Sequence, residues 1–207
     1  MARPFANPYH GEREGAAVRL VAWAGVCVPP AAAAILLAAG WLTPGYDAVR
    51  TTVSHLGQHG QPFALVVNLT FAALGLTYAG VAWALAALLG RRAWAGAGLL
   101  AVAGIAFVGV GIVSRDPVHP VPHRVAALLL FLALALAPLV LAGHLRRPAL
   151  SRATFAVSSA LLAAGILGLV HGGLPAGAWE RAFVGLNLMW LMAVAAGLLR
   201  PRPAAGR

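Results

Sequence analysis

Long apolar stretches dominate the chain, and short polar stretches separate them. Six segments each supply about the 20 apolar residues that a helix needs to cross a bilayer core of about 30 Å. They cover approximately residues 17–42, 63–89, 94–114, 124–145, 153–172 and 178–199. Each segment is too long and too uniformly apolar for a strand of a soluble sheet. Since backbone groups in lipid must be hydrogen-bonded within their own segment, the pattern predicts six helices.

The composition supports a membrane protein. Hydrophobic residues make up 61% of the 207 residues and charged residues only 10%, whereas about a quarter of a typical soluble domain is charged. The formal net charge is +10. The basic residues form short clusters between apolar runs and not a stripe with interleaved aromatic residues, so we expect no nucleic-acid partner. Cys27 is the single cysteine, which excludes an intramolecular disulfide and a CxxC metal site.

The arginines predict an orientation. Along a six-pass path eleven of them fall on one side and four on the other, and the chain has no lysine. The positive-inside rule therefore places both termini in the cytoplasm. The chain then divides into a mobile tail over residues 1–16, one membrane domain over 17–200 and a second tail over 201–207. We expect Pro29 and Pro30 to kink or break the first helix, because proline lacks the backbone N–H.

Polar chemistry collects in the three connections that this topology places outside, namely residues 43–62, 115–124 and 171–181. Every Asp, every Glu beyond the first tail and five of the seven histidines lie there. Topology alone does not require such a mixture of acids, bases and hydroxyls. The three connections are therefore the candidate functional site.

A catalytic interpretation uses Ser54 as a nucleophile with a histidine as its base. The candidate catalytic residues are Ser54, Asp116, His123, His171 and Glu180. No GxSxG turn surrounds Ser54, which could equally cap the short turn before Leu56. His171 and Glu180 also have a structural explanation, since their charges suit the helix ends beside which they lie.

A metal site is a second interpretation, with zinc or another divalent cation as the cofactor. Its candidate ligands are Asp116, His119, His123 and His171. The sequence contains no HExxH motif and no cysteine pair, and prolines interrupt the spacing between His119 and His123. The motif evidence for a metal is therefore weak.

A third interpretation is a structural cap of hydrogen bonds and ion pairs that holds the helices together. Its predicted members are Tyr46, Asp47, Arg50, Ser54, Asp116 and Arg181. An acid at the membrane edge, such as Asp116, needs an arginine partner if it is buried. Within the apolar segments, Asn68, Tyr78 and Asn187 are expected to bridge helices.

Three motifs follow one another in a recognisable order: PGYDAVRTTVSHLG, RDPVHPVPHR and WERAFVGLNLMW. They resemble the motifs of the domain-of-unknown-function 998 family of bacterial six-helix membrane proteins, over about residues 15 to 200. The resemblance implies a six-pass protein with no established activity. It places Tyr46, Asp47, Arg50, Ser54, Asp116, Pro117, His123, Arg181 and Trp190 at motif positions.

The chain departs from that family at two places. The family often has another polar residue in place of His55 and a longer stretch before its histidine, which weakens a metal site that depends on His55 or His119. A more distant likeness is to eukaryotic six-helix membrane proteins of the Frag1/DRAM type, and it carries no function.

We therefore predict an all-α bundle of six transmembrane helices in a bacterial plasma membrane. The favoured function is non-enzymatic: a lipid- or ligand-binding protein, or an accessory protein of the envelope, with a polar cap on the outer face. The alternative is a membrane-embedded hydrolase, in one version assisted by a metal, that acts on a lipid-like substrate at that face. Membrane lipids and a hydrophobic small molecule are the expected partners, and the oligomeric state stays open. A transporter is disfavoured, because no predicted helix carries a charge at its centre.

Overall fold

The computed structural model describes residues 8–113 and 120–200. Within these ranges the chain is all-helical, with short 3₁₀ helices over Val53–Gly57 and Gly90–Ala93. Its α-helices are α1 (Pro8–Leu42), α2 (Ala64–Leu89), α3 (Trp94–Ile112), α4 (Val121–Ala142), α5 (Pro148–His171) and α6 (Ala176–Leu198). Five stretches are long and apolar enough to cross a membrane, and one of them, Ala64–Ile112, includes both α2 and α3.

The helices form a closed ring in sequence order. Each packs against the next along the chain, and α6 packs against both α5 and α1. Consecutive helices are antiparallel, since residues near the start of α1, the end of α2, the start of α5 and the end of α6 line one space. One end of the bundle therefore carries residues 43–63 and 172–175, and we call it the loop end. The opposite end carries residues 90–93, 143–147 and the end of α6, and we call it the arginine end.

The outside of the bundle is apolar. Leu20, Ile105 and Ile112 expose more than two thirds of their surface, at 73%, 72% and 76%, and Trp41 exposes 90%. Water-soluble proteins do not expose apolar surface this continuously. Helices with internally satisfied backbones are stable in lipid, so this surface identifies a protein that lies in a membrane.

Glycines bring α2 and α3 into direct backbone contact. A Cβ atom added to Gly75 would lie 2.5 Å from the carbonyl oxygen of Gly104. A Cβ atom added to Gly104 would lie 2.6 Å from the carbonyl oxygen of Gly75. Helices in membranes associate through such small residues, since apolar side chains gain little by leaving lipid.

The predicted helix positions agree with the structure within five residues at each end of α2 to α6. The first helix differs more, because α1 begins at Pro8, inside the stretch predicted to be a tail. A helix that the apolar segment nucleates adds residues at little further cost. Of the kink or break expected at Pro29 and Pro30, the break is wrong, since α1 is continuous across both. Neighbouring helices make proline tolerable in membrane segments.

Candidate functional site

Arg181 of α6 anchors the first connection of the chain. Its Nη1 atom donates hydrogen bonds to the carbonyl oxygens of Ala48 at 2.6 Å and Thr51 at 3.2 Å. Nη1 also donates to the carbonyl of Gly177 at 2.9 Å, within α6. Nη2 donates to the hydroxyl of Tyr46 at 2.5 Å. The guanidinium therefore fastens residues 46–51 to the start of α6.

Tyr46 extends this network into the connection itself. Its hydroxyl lies 3.0 Å from the carbonyl oxygens of Thr51 and of Thr52, to which it donates. Burial is the largest influence on the phenol and raises its pKa above the ordinary 10.0. The hydrogen bond and positive charge of Arg181 oppose that increase, and the negative charges of Glu180 and Asp47 add to it. Tyr46 is therefore a neutral phenol that can donate and accept at neutral pH.

Further residues near the start of α6 complete the contact. The N–H of Ala178 donates to the carbonyl of Val49 at 2.9 Å, and the Oε2 atom of Glu180 accepts the N–H of Val53 at 2.6 Å. A Cβ atom on Gly177 would lie 2.5 Å from the carbonyl oxygen of Ala48 and would also collide with that of Thr51. Glycine at this position therefore permits the close approach.

Asp47 shapes the connection from within. Its Oδ1 atom accepts the N–H groups of Val49 at 2.9 Å and Arg50 at 3.2 Å. Carboxylates that accept backbone N–H groups two and three residues ahead stabilise turns. Its Oδ2 atom also lies 3.7 Å from Nε of Arg50, in a pair whose arginine side chain is 86% exposed. This ion pair is local and does not join helices.

A cavity of about 190 Å³ lies beneath the connection. Its walls are mainly apolar side chains of α1, α2, α3, α4 and α6, including Leu37, Leu74, Phe107, Leu130 and Leu188. Four polar residues also line it: Ser54, His123, Glu180 and Arg181. We call this space the loop-end cavity. It combines an apolar interior with hydrogen-bonding and charged groups, as an amphipathic ligand requires.

His123 is buried at the start of α4, with its Nδ1 atom 2.9 Å from the carbonyl oxygen of Val113. Because a carbonyl only accepts, Nδ1 carries a hydrogen, and in the neutral form of the ring Nε2 then has the lone pair. The Ser54 hydroxyl donates to Oγ1 of Thr52 at 3.3 Å. Ser54 and His123 thus line the same cavity. The hydrogen bond of Ser54 goes to Thr52, and that of His123 goes to Val113.

His171 does not belong to this cavity. It is exposed at the end of α5, where Nδ1 lies 3.1 Å from the carbonyl oxygen of Leu167 one turn earlier. The ring of His55 stacks on Tyr46 with centroids 6.4 Å apart, and Nε2 of His55 lies 3.3 Å from the amide nitrogen of Gln61. His59 is exposed.

Among the described residues no group of three or more His, Cys, Asp and Glu side chains could hold a metal ion. Asp116 and His119, two of the predicted ligands, lie outside the described residues, as does Pro117. His123 lines the loop-end cavity and His171 does not. The two described members of the predicted metal-ligand set therefore do not lie at one site.

A buried polar seam joins α5 to α6. The Nδ2 atom of Asn187 donates to Oγ of Ser158 at 3.0 Å, and the indole of Trp190 donates to Oγ of Ser151 at 3.0 Å. The Tyr78 hydroxyl donates to the carbonyl of Asn187 at 3.4 Å. Bridging by Tyr78 and Asn187 is thereby confirmed. The two serines were missed, although their seven-residue spacing places them on one helix face.

The helical bundle, its apolar exterior and its polar loop end define a multi-pass helical membrane protein. The chain belongs to the family described as "Protein of unknown function (DUF998)", whose profile matches residues 26–197. The match includes both the Tyr46–Arg181 contact and the whole lining of the loop-end cavity. No curated protein and no solved structure matches the chain.

Proposed function

We propose that this protein crosses a bacterial plasma membrane six times and binds the apolar part of a lipid-like molecule in the loop-end cavity without transforming it. Residues 17–200 form the membrane domain, and both termini are cytoplasmic. The loop end then faces outward, and the connection held by Arg181 is a structural cap above the bound molecule. Membrane lipids are the partners that this function requires.

The six-pass topology is supported by the separation of α2 from α3. α3 has 19 residues, which at 1.5 Å per residue span about 28 Å, close to the bilayer core. Gly90 lies between the two helices with φ of 65°, a conformation that ends a helix. A phosphatase reporter fused after Arg207 tests the orientation. We expect no activity from that fusion, because it stays in the cytoplasm, and an active fusion contradicts the topology.

The cavity carries the binding proposal. Its volume of about 190 Å³ is below the range of about 300–1,000 Å³ that encloses a drug-sized ligand. It therefore suits one apolar segment, such as part of an acyl chain, with the polar group of the ligand beside Ser54, Glu180 and Arg181. Apolar side chains on five helices would provide the contact area for that segment.

Gly185 offers a specific test of binding. It lines the cavity on α6, and a Cβ atom there would meet nothing within 4 Å. Gly185→Leu therefore fills the space without distorting the helix. Gly98→Leu is the matched control, since Gly98 is an exposed glycine of α3 whose Cβ position is also open.

The probe is a long-chain fatty acid that carries a diazirine, photolysed with the purified full-length protein. We expect labelled peptides that contain Leu74, Phe107 or Leu130, and at least fivefold less labelling in Gly185→Leu than in Gly98→Leu. Equal labelling of the two variants, or labelling confined to lipid-facing residues such as Ile112, would show that the cavity is not the binding site.

A hydrolase is the second candidate, because Ser54, His123 and Glu180 all line the same cavity. In that mechanism Nε2 of His123 accepts the proton of the Ser54 hydroxyl as the oxygen attacks an ester carbonyl, and it returns this proton to the alcohol that leaves as the ester C–O bond breaks. Water then hydrolyses the acyl group from Ser54, which releases the acid and restores the hydroxyl. A fluorophosphonate probe distinguishes the two functions. For a binding protein we expect no adduct on Ser54. An adduct that disappears in His123→Gln, together with ester hydrolysis lost in Ser54→Ala, would establish the hydrolase instead.

A further inference from the structure

A second and larger cavity lies at the arginine end of the bundle. Its volume is about 1120 Å³, and it is formed by α1, α2, α5, α6 and the connection between α4 and α5. We call it the arginine-end cavity. None of its described lining residues lines the loop-end cavity. Its chemistry is therefore independent of the function proposed for the loop end.

Positive charge from three distant parts of the chain meets at this cavity. Arg19 comes from α1, Arg147 precedes α5 and Arg200 follows α6. His144 and Arg146 line it as well, and no carboxylate is among its described lining residues. Like charges that share a cavity repel one another, so an anion bound between them lowers the electrostatic energy.

The start of α5 adds to the attraction for an anion. Arg147 occupies its N-cap position without a side-chain hydrogen bond to the helix, and Pro148 follows at the first helical position. The next backbone N–H groups have no acceptor inside the helix. Such N–H groups and the helix dipole favour phosphate.

Apolar side chains also line the cavity. Leu85, Leu89 and Leu150 line it from α2 and α5, and Val194 and Leu198 line it from α6. The indole of Trp190 contributes its ring there, while its N–H group is already bonded to Ser151. A free phosphate would gain nothing from these side chains, whereas an acyl chain attached to a phosphate would contact them.

We propose that the arginine-end cavity binds an anionic phospholipid, with its phosphate between Arg19, Arg147 and Arg200 and an acyl chain against the apolar wall. Phosphate attached to lipid is the ligand chemistry that both parts of the cavity satisfy. Other arginines at this end, Arg91, Arg92 and Arg152, do not line the cavity. Replacing these three arginines changes the net charge by the same amount but leaves the lining of the cavity intact.

The test uses full-length protein in detergent, titrated with phosphatidylglycerol and phosphatidylcholine and observed as lipid adducts by native mass spectrometry. We expect phosphatidylglycerol to bind at least tenfold more tightly. The triple variant R19Q/R147Q/R200Q should lose at least tenfold of that affinity, because it removes the three charges that would surround the phosphate. The matched triple variant R91Q/R92Q/R152Q should bind as the wild type does.

Gly197→Leu keeps every charge, and it tests the same cavity if R19Q/R147Q/R200Q does not fold. Gly197 lines the cavity on α6, and its Cβ position meets nothing within 4 Å. We expect it to weaken phosphatidylglycerol at least fivefold, whereas Gly185→Leu, at the other cavity, should leave the preference for phosphatidylglycerol over phosphatidylcholine unchanged. Failure of this proposal is thus separable from failure of the loop-end function.

Two further outcomes would overturn the proposal. One is equal binding of phosphatidylglycerol by the two triple variants, which would assign the attraction to net charge. The other is displacement of phosphatidylglycerol by glycerol phosphate at a similar concentration, which would assign the site to a soluble phosphate and leave the apolar wall without a role.

Discussion

The guanidinium of Arg181 donates a 2.5 Å hydrogen bond to the hydroxyl of Tyr46, although 135 residues separate the two in sequence. The contact joins the first connection of the chain to its last helix at the place where α6 packs against α1. Arg181 also lines the loop-end cavity, together with Val53 and Ser54 of the same connection. The hydrogen bond between α6 and the first connection therefore also positions the residues of that connection that line the loop-end cavity.

Replacement of Arg181 by lysine should weaken the contact between α6 and the first connection. Arg181 bonds three carbonyl oxygens and one hydroxyl through a planar fork of donors, and an ammonium group cannot reach all four. We expect the free energy of unfolding in detergent to fall by about 2 kcal/mol. Arg50→Lys is the control, because that exposed ion pair contributes at most about 1 kcal/mol. Equal losses in the two variants would contradict an anchoring role.

Gly177→Ala tests the close approach of the connection to α6. The added methyl group would meet the carbonyl oxygens of Ala48 and Thr51, so the connection has to move. We expect a loss of about 1–3 kcal/mol in unfolding free energy, as for other overpacked sites. Gly185→Ala on the same helix has open space at its Cβ position, and its better helix propensity should leave stability unchanged or slightly raised. A neutral Gly177→Ala would show that the connection adapts freely.

The phenol of Tyr46 makes the free energy of unfolding depend on pH in the alkaline range. Burial raises the pKa of its phenol above 10.0 in the folded protein, so the folded state holds this proton more tightly than the unfolded state. The resulting stabilisation is complete below the unfolded pKa of about 10 and is lost as pH rises through the folded pKa. Unfolding of wild type and Tyr46→Phe should therefore be compared from neutral to strongly alkaline pH. We expect the advantage of the wild type to shrink above pH 10.0; a constant difference would contradict the shift.

Gly104→Ala should separate α2 from α3. A methyl group on Gly104 would lie 2.6 Å from the carbonyl oxygen of Gly75, and backbone atoms cannot rotate away as a side chain can. We expect a loss of about 1–3 kcal/mol, measured by thermal unfolding in detergent. Gly98→Ala, on the same helix with open space at its Cβ position, is the matched control and should not be destabilised. Similar melting temperatures for the two variants would argue against backbone packing.

The class of the protein and the positions of most helices could be predicted from local properties of the sequence. A membrane segment is recognised by the length of its apolar run, which is a local property, and the ends of α2 to α6 were predicted within five residues. Local chemistry likewise placed Tyr46, Asp47, Arg50, Ser54 and Arg181 among the polar residues of one end. The family was recognised from motifs in the same connections and is confirmed over residues 26–197.

The polar contacts between distant residues could not be predicted in this way, because they depend on how the helices pack. Asp47 and His171 bond within their own turns, while Arg181 and Glu180 reach across to the first connection. Gly177 has no signal in the sequence, because its role is defined by carbonyl oxygens more than a hundred residues away. These pairings depend on how far α6 is rotated and shifted along α1, which the packing of the whole ring sets and no local pattern of apolar and polar residues encodes.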